Sequence, residues 1–137
     1  MVKPELLKLE IPSSHEFIGA ARKAAEEIAA RTPLTGQDVE DLKLAVGEAC
    51  TNAIKFSQLN QKTFGLLFRI ETDRLEVEVS NNGEAFPIEF ICPTEPCIED
   101  LPEGGLGLYL IDQVMDELNI SSEDGETVVK MVKRFKS

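Results

Sequence analysis

The sequence is poor in the residues that build metal and disulfide frameworks. It has one histidine, His15, and three cysteines, Cys50, Cys92 and Cys97. Cys92 and Cys97 lack the second pair of ligands that a structural zinc site needs. An odd set of cysteines without a preceding signal peptide indicates free thiols in a reducing compartment, and we therefore expect a cytoplasmic protein.

Basic residues and long apolar runs are also scarce. The sequence has 14 Lys and Arg against 25 Asp and Glu, a formal net charge of −11 over 137 residues. This surplus opposes broad binding to nucleic-acid phosphates or to anionic lipid. No apolar run approaches the roughly 20 residues of a membrane span. We expect a soluble protein with no direct nucleic-acid or membrane partner.

Hydrophobic periodicity predicts both strands and helices. Alternating apolar residues are typical of half-buried strands, and apolar residues at intervals of three and four are typical of helices. The pattern predicts a strand over 7–11, helices over 15–31 and 37–57, strands over 64–70 and 75–79, a long loop, a helix from the glycine cluster at 104–107, and a hairpin over 118–122 and 127–135. This order favours one α/β (α+β) domain over 1–137, a two-layer sandwich of a mostly antiparallel sheet with helices on one face.

Two polar residues lie one turn apart on the second predicted helix. Glu48 and Asn52 are spaced i, i+4 along the edge of its apolar stripe. A carboxylate and a carboxamide in this arrangement can serve as a base and as an oxygen ligand for a hard cation. The same pair can also be a solvated helix edge.

Two glycine segments border the long loop. Asn81-Asn82-Gly83 ends a predicted strand and is typical of a tight turn. The cluster from Gly104 to Gly107 runs into an apolar segment. There it can bare backbone N–H groups to a phosphate or simply allow close packing. The acid and amide pair and the two glycine segments are each weak evidence for a phosphate site. Their order along the chain favours such a site.

The ordered motifs resemble the GHKL-type (histidine kinase-like, or Bergerat) ATP-binding fold of gyrase, MutL and the histidine kinases. The resemblance is greatest to its anti-sigma factor serine/threonine kinase branch. It rests on residues 48–54, 79–86 and 104–108 and covers nearly the whole chain. It implies ATP and Mg²⁺ as cofactors, and a kinase that phosphorylates a STAS-type anti-sigma antagonist and also binds a sigma factor, as a homodimer in transcription regulation.

The resemblance also implies roles for individual residues. Glu48 would be the catalytic carboxylate that orients or deprotonates a hydroxyl, and Asn52 would be the Mg²⁺ ligand. Residues 84–103 would form a lid over the nucleotide. The remaining nucleotide-binding positions would be Asn81, Gly83, Gly105, Gly107 and Thr127.

Three positions refine this resemblance. Glu48 stands where sensor histidine kinases carry asparagine, which favours transfer to a hydroxyl. Phe56 replaces the histidine of the anti-sigma branch, and Asn81 replaces an aspartate that accepts a hydrogen bond from the adenine amino group. An amide both accepts and donates. Asn81 is therefore either an adapted base contact or the mark of a non-catalytic regulatory binding module with weakened or lost nucleotide binding.

Overall fold

A computed structural model describes residues 2–56, 62–81, 105–123 and 125–136. Helices cover one face of a five-stranded sheet, as the hydrophobic pattern predicts. The elements in chain order are β1 (Glu5–Pro12), a 3-10 turn (His15–Phe17), α1 (Ile18–Ala29), α2 (Gly36–Lys55), β2 (Thr63–Ile70), β3 (Arg74–Asn81), α3 (Gly105–Val114), β4 (Glu117–Glu123) and β5 (Glu126–Arg134). The expected lid over 84–103, with Cys92 and Cys97, and also Gly83 and Gly104, lie outside the described residues.

The sheet has the strand order β1-β2-β3-β5-β4, and every neighbouring pair is antiparallel. The last strand therefore lies between β3 and β4. This arrangement pairs Asn81, the last residue of β3, with Thr127 near the start of β5. Both side chains point toward the helices, because alternate residues of a strand share a face. Two residues expected at the nucleotide thus meet at one end of the sheet.

The second helix begins and ends at residues whose chemistry explains its limits. Thr35 accepts a hydrogen bond from the Asp38 backbone, and the Asp38 carboxylate accepts one from the Thr35 backbone, which together form a capping box. Phe56 closes the helix by donating its N–H to the Asn52 carbonyl. The helix is two residues shorter at its C-terminal end than the predicted 37–57, and the first helix begins as a 3-10 turn at His15.

The face of the sheet opposite the helices carries charged side chains around a buried carboxylate. Glu76 is 4 % exposed, and its carboxylate lies 2.7 Å from Arg74 Nε and 3.3 Å from both Arg69 Nη1 and Lys130 Nζ. Burial alone would raise the pKa of this carboxyl group. The hydrogen bonds and positive charges of Arg74 and Lys130 outweigh burial, so the pKa of Glu76 is lowered.

We expect the Glu76→Gln variant to be less stable at neutral pH by about 1–2 kcal/mol and less sensitive to acid. A carboxyl group whose pKa is lower in the folded state contributes stability above its unfolded pKa and loses it as pH falls through the folded pKa. Urea unfolding at pH 7, 5 and 4 measures this. Glu78→Gln is the control, because Glu78 is 28 % exposed and pairs with Arg69 at 3.7 Å. Equal pH slopes in wild type and Glu76→Gln would contradict the assignment.

Candidate functional site

The structure brings Gly107 of α3 directly against Glu48 and Asn52 of α2. A Cβ atom at Gly107 would lie 2.9 Å from Glu48 Oε2 and 3.3 Å from Asn52 Nδ2. Only glycine lets α3 approach these side chains so closely without moving them. Gly107 and the acid and amide pair, which are far apart in sequence, therefore lie together as one candidate site, in which Gly107 allows close packing.

Asn52 is not part of a solvated helix edge. Its side chain is 4 % exposed, and within the described ranges its Nδ2 atom has no hydrogen-bond partner. A buried polar atom left unpaired costs about 1–3 kcal/mol, so such an atom has its partner outside the described residues, in the rest of the chain or in a bound group. No described residue holds the nitrogen in place, and a rotation of the amide presents its oxygen instead. The residue therefore fits a cation bound beside Gly107.

Glu48 is half-buried at the rim of the same site. Its carboxylate borders Gly107, one helical turn from Asn52. A carboxylate accepts hydrogen bonds only, and partial exposure leaves this one within reach of a group entering from solvent. The arrangement can orient a hydroxyl and accept its proton beside a bound cation.

The described residues alone do not form a complete set of ligands for a cation. Across residues 2–56, 62–81, 105–123 and 125–136, no group of three or more His, Cys, Asp or Glu side chains is placed to hold a metal. Mg²⁺ commonly takes one or two protein oxygens and completes its shell with water and phosphate oxygens. The single amide of Asn52 is consistent with a metal held jointly by protein and nucleotide.

The first turn of α3 supplies backbone donors to the site. Gly105 is the first residue of this helix, and Gly107 lies two residues further. The first four N–H groups of a helix have no partner within it and carry the positive end of the helix dipole. This end of α3 is suited to an anion such as phosphate.

Asn81 lies at the other end of the predicted nucleotide site and makes a specific contact. Its side chain is 7 % exposed, and its Nδ2 donates to the Ala53 carbonyl at 3.1 Å. Among the described residues, that carbonyl lies one residue beyond the Asn52 carbonyl, which accepts from Phe56, so Asn81 donates to the C-terminal end of α2. A carboxylate could not donate this bond. An amide oxygen and a second N–H can also serve a further partner. Thr127, which is 1 % exposed, lies opposite Asn81 in the strand register.

The contact between Asn81 and Ala53 could not be predicted from residue types, because it uses a backbone carbonyl.

Cys50, the one cysteine among the described residues, is unreactive. Burial raises the pKa of the Cys50 thiol to about 12, and the thiol therefore stays protonated at neutral pH. No helix of the described chain is long and apolar enough to cross a membrane.

Comparisons with known proteins show the family of the chain. The family described as the histidine kinase-like ATPase domain matches residues 11–133. A protein of Halalkalibacterium halodurans named serine-protein kinase RsbW is 38 % identical over 96 % of this chain and 84 % of its own length. The Bacillus subtilis protein of the same name is 35 % identical over 90 % of this chain and 82 % of its own.

Solved structures show the same fold at lower identity. The RsbU and RsbW domains of a Mycobacterium tuberculosis protein match with a TM-score of 0.72 at 15 % identity, over 95 % of this chain and 32 % of that one. The SiaB–SiaC complex of Pseudomonas aeruginosa matches with a TM-score of 0.61 at 15 % identity, over 93 % and 89 % of the two chains. The resemblance read from the motifs is confirmed. The chain belongs to the histidine kinase-like ATPase family and, within it, to the serine-protein kinases named RsbW.

Proposed function

We propose that this chain binds ATP with Mg²⁺ and transfers the γ-phosphoryl group to a serine or threonine hydroxyl of an anti-sigma antagonist of the STAS type. The observation that carries the proposal is the approach of Gly107 to Glu48 and Asn52. It gathers at one point a half-buried carboxylate, a buried amide whose Nδ2 atom has no partner among the described residues, and the N-terminal turn of a helix. The names of its relatives as serine-protein kinases support the same reaction.

Each of these residues has a distinct task in this proposal. The amides of Gly105 and Gly107 donate to the phosphates, and the oxygen of Asn52 holds the metal. Mg²⁺, when bound, neutralises charge on the phosphate oxygens. Glu48 orients the substrate hydroxyl and accepts its proton. Positioning and charge neutralisation are what phosphoryl transfer mainly requires of a protein.

The proposed partners are a sigma factor and its antagonist in the cytoplasm, so that the chain acts as an anti-sigma factor in transcription regulation. The proposal of these partners rests on the family resemblance.

A homodimer is supported by β1, which is an edge strand with Leu6 61 % and Leu7 36 % exposed. Edge strands with exposed apolar side chains are open to pairing with another chain. Light scattering of the purified protein should give twice the 15.1 kDa chain mass, and a monomer would contradict the dimer.

The reaction is tested with purified protein, Mg²⁺, γ-labelled ATP and candidate antagonists. Label should appear on a serine or threonine of one antagonist and require Mg²⁺. The alternative, a non-catalytic binding module, predicts no transfer. Calorimetry with ATP and ADP separates the two further, because the module would bind neither nucleotide or bind both weakly.

We expect Asn81→Asp to weaken nucleotide binding about ten- to a hundredfold and to destabilise the fold by about 1–3 kcal/mol. The carboxylate cannot donate to the Ala53 carbonyl, and it faces the negative end of α2. This outcome would make Asn81 an adapted base contact. Calorimetry with ADP and urea unfolding measure the two effects.

The matched control is Asn119→Asp, which makes the same change at an exposed position of β4. It should alter neither measurement by more than a few tenths of a kcal/mol. Tighter nucleotide binding by Asn81→Asp would show instead that Asn81 is a damaged contact.

A further inference from the structure

A buried lysine connects the two helices that carry the site. Lys133 of β5 is 7 % exposed, and its Nζ atom donates to the Val114 carbonyl at 2.5 Å. The same atom lies 3.4 Å from Asp41 Oδ2 and 3.8 Å from Asp38 Oδ1. Val114 is the last residue of α3, whereas both aspartates lie in the first two turns of α2. Lys133 therefore joins the end of one helix to the beginning of the other.

The charges around Lys133 are complementary. A cation is favoured at the C-terminal end of a helix, and carboxylates are favoured near an N-terminal end. Burial would raise the pKa of Asp38, but hydrogen bonds from Thr35 and the charges of Lys136 and Lys133 outweigh it, so the pKa of Asp38 is lowered. Lysine is rarely buried unless paired, and here its partners are a helix end and two carboxylates. Loss of Lys133 would leave these groups without that partner.

The two helices run antiparallel and are connected near both ends, directly at Gly107 and through Lys133 at Val114. Gly107, near the start of α3, lies against Glu48 and Asn52 in the C-terminal half of α2. Val114, at the end of α3, is tied through Lys133 to the N-terminal part of α2. One end of α3 thus bears the proposed phosphate contacts, and the other end bears the Lys133 contacts. A small rotation of α3 about Val114 would displace the first turn of the helix, including Gly107, at its other end.

We propose that Lys133 is a positioning residue that holds the first turn of α3 against Glu48 and Asn52. This proposal rests on the proposed function, because it says that the contacts of Lys133, far from the proposed phosphate site, affect nucleotide binding. A role in stability alone predicts a loss of protection throughout the fold when Lys133 is replaced, whereas a positioning role predicts a loss confined to α3 and to nucleotide binding. Lys136 also pairs with Asp38, at 3.6 Å, but its side chain is 73 % exposed. The chain therefore supplies its own matched control.

The test compares Lys133→Met, Lys133→Arg and Lys136→Met in the full chain, first by hydrogen exchange without nucleotide. In Lys133→Met we expect the amides of α3 to exchange at least about tenfold faster, while those of β2 and β3 keep their protection. Lys133→Arg should restore much of the protection, because it keeps the charge. Lys136→Met should match wild type. Unchanged exchange in α3, or an equal loss across the sheet, would overturn the proposal.

The second measurement separates positioning from stability. In Lys133→Met we expect kcat/KM for ATP to fall at least about tenfold and the Kd for ADP to rise about tenfold, because both depend on the position of the first turn of α3. Wild-type values for both would overturn the proposal. If wild type itself binds no nucleotide, the proposed function fails, whereas the exchange measurement still decides the role of Lys133. If Lys133→Met does not fold, Asp41→Asn makes a milder change at the same contact and should show a smaller effect in the same direction.

Discussion

Glu48→Gln should lower the rate of phosphoryl transfer by about 10²–10⁴-fold, the usual contribution of a positioned general base. Glutamine keeps the size of the side chain but cannot take a proton from a hydroxyl. The carboxylate lies beside Gly107 at the rim of the site, where a substrate hydroxyl can reach it. Single-turnover transfer of label from ATP to the antagonist measures the loss.

Nucleotide binding should survive this substitution. In the proposed arrangement Glu48 contacts the hydroxyl and not the phosphates, so the Kd for ADP should stay within about threefold of wild type. Glu40→Gln is the control, because Glu40 is a 68 % exposed carboxylate of the same helix, paired with Lys43 at 3.7 Å. Transfer at the wild-type rate in Glu48→Gln would remove Glu48 from the chemistry. A parallel loss in Glu40→Gln would show that the helix and not the carboxylate is responsible.

The elements of the fold could be predicted because their signals are local. The alternation of Leu75, Val77 and Val79 with polar residues predicts β3, and the break at 34–36 marks the start of α2. The position of β5 between β3 and β4 depends on pairing between distant segments and has no local signal. Local periodicity therefore predicts the two layers of the sandwich but not the order of the strands within the sheet.

The site was predictable as a set of motifs but not as a geometry. The spacing of Glu48 and Asn52 placed them on one helix edge, yet the burial of Asn52 depends on how α3 packs over that edge. Periodicity does place Lys133 on the helix face of β5, in line with Thr127, Val129 and Met131. A lysine at such a position is an exception to the pattern, and its partners become visible only in three dimensions.

Gly107→Ala should fold as well as wild type and still lose about 10²-fold in transfer rate. The added Cβ would lie 2.9 Å from Glu48 Oε2, which is the end of a flexible side chain and can move away. Alanine also favours a helix over glycine by up to about 1 kcal/mol, which offsets the crowding. A displacement of about 1 Å at a catalytic group costs roughly 10²-fold in rate. Thermal unfolding and single-turnover transfer measure the two quantities.

The lower transfer rate of Gly107→Ala should result from displacement of Glu48, and this cause can be tested separately. Gly19→Ala adds the same atom to α1 with nothing within 4 Å, so it should leave transfer unchanged. If Gly107→Ala acts by moving the carboxylate, adding it to Glu48→Gln should cost little further, since the carboxylate is already absent. A full additional 10²-fold loss in the double variant would contradict displacement of Glu48. It would place the effect instead on Asn52, whose Nδ2 atom the new Cβ would approach to 3.3 Å.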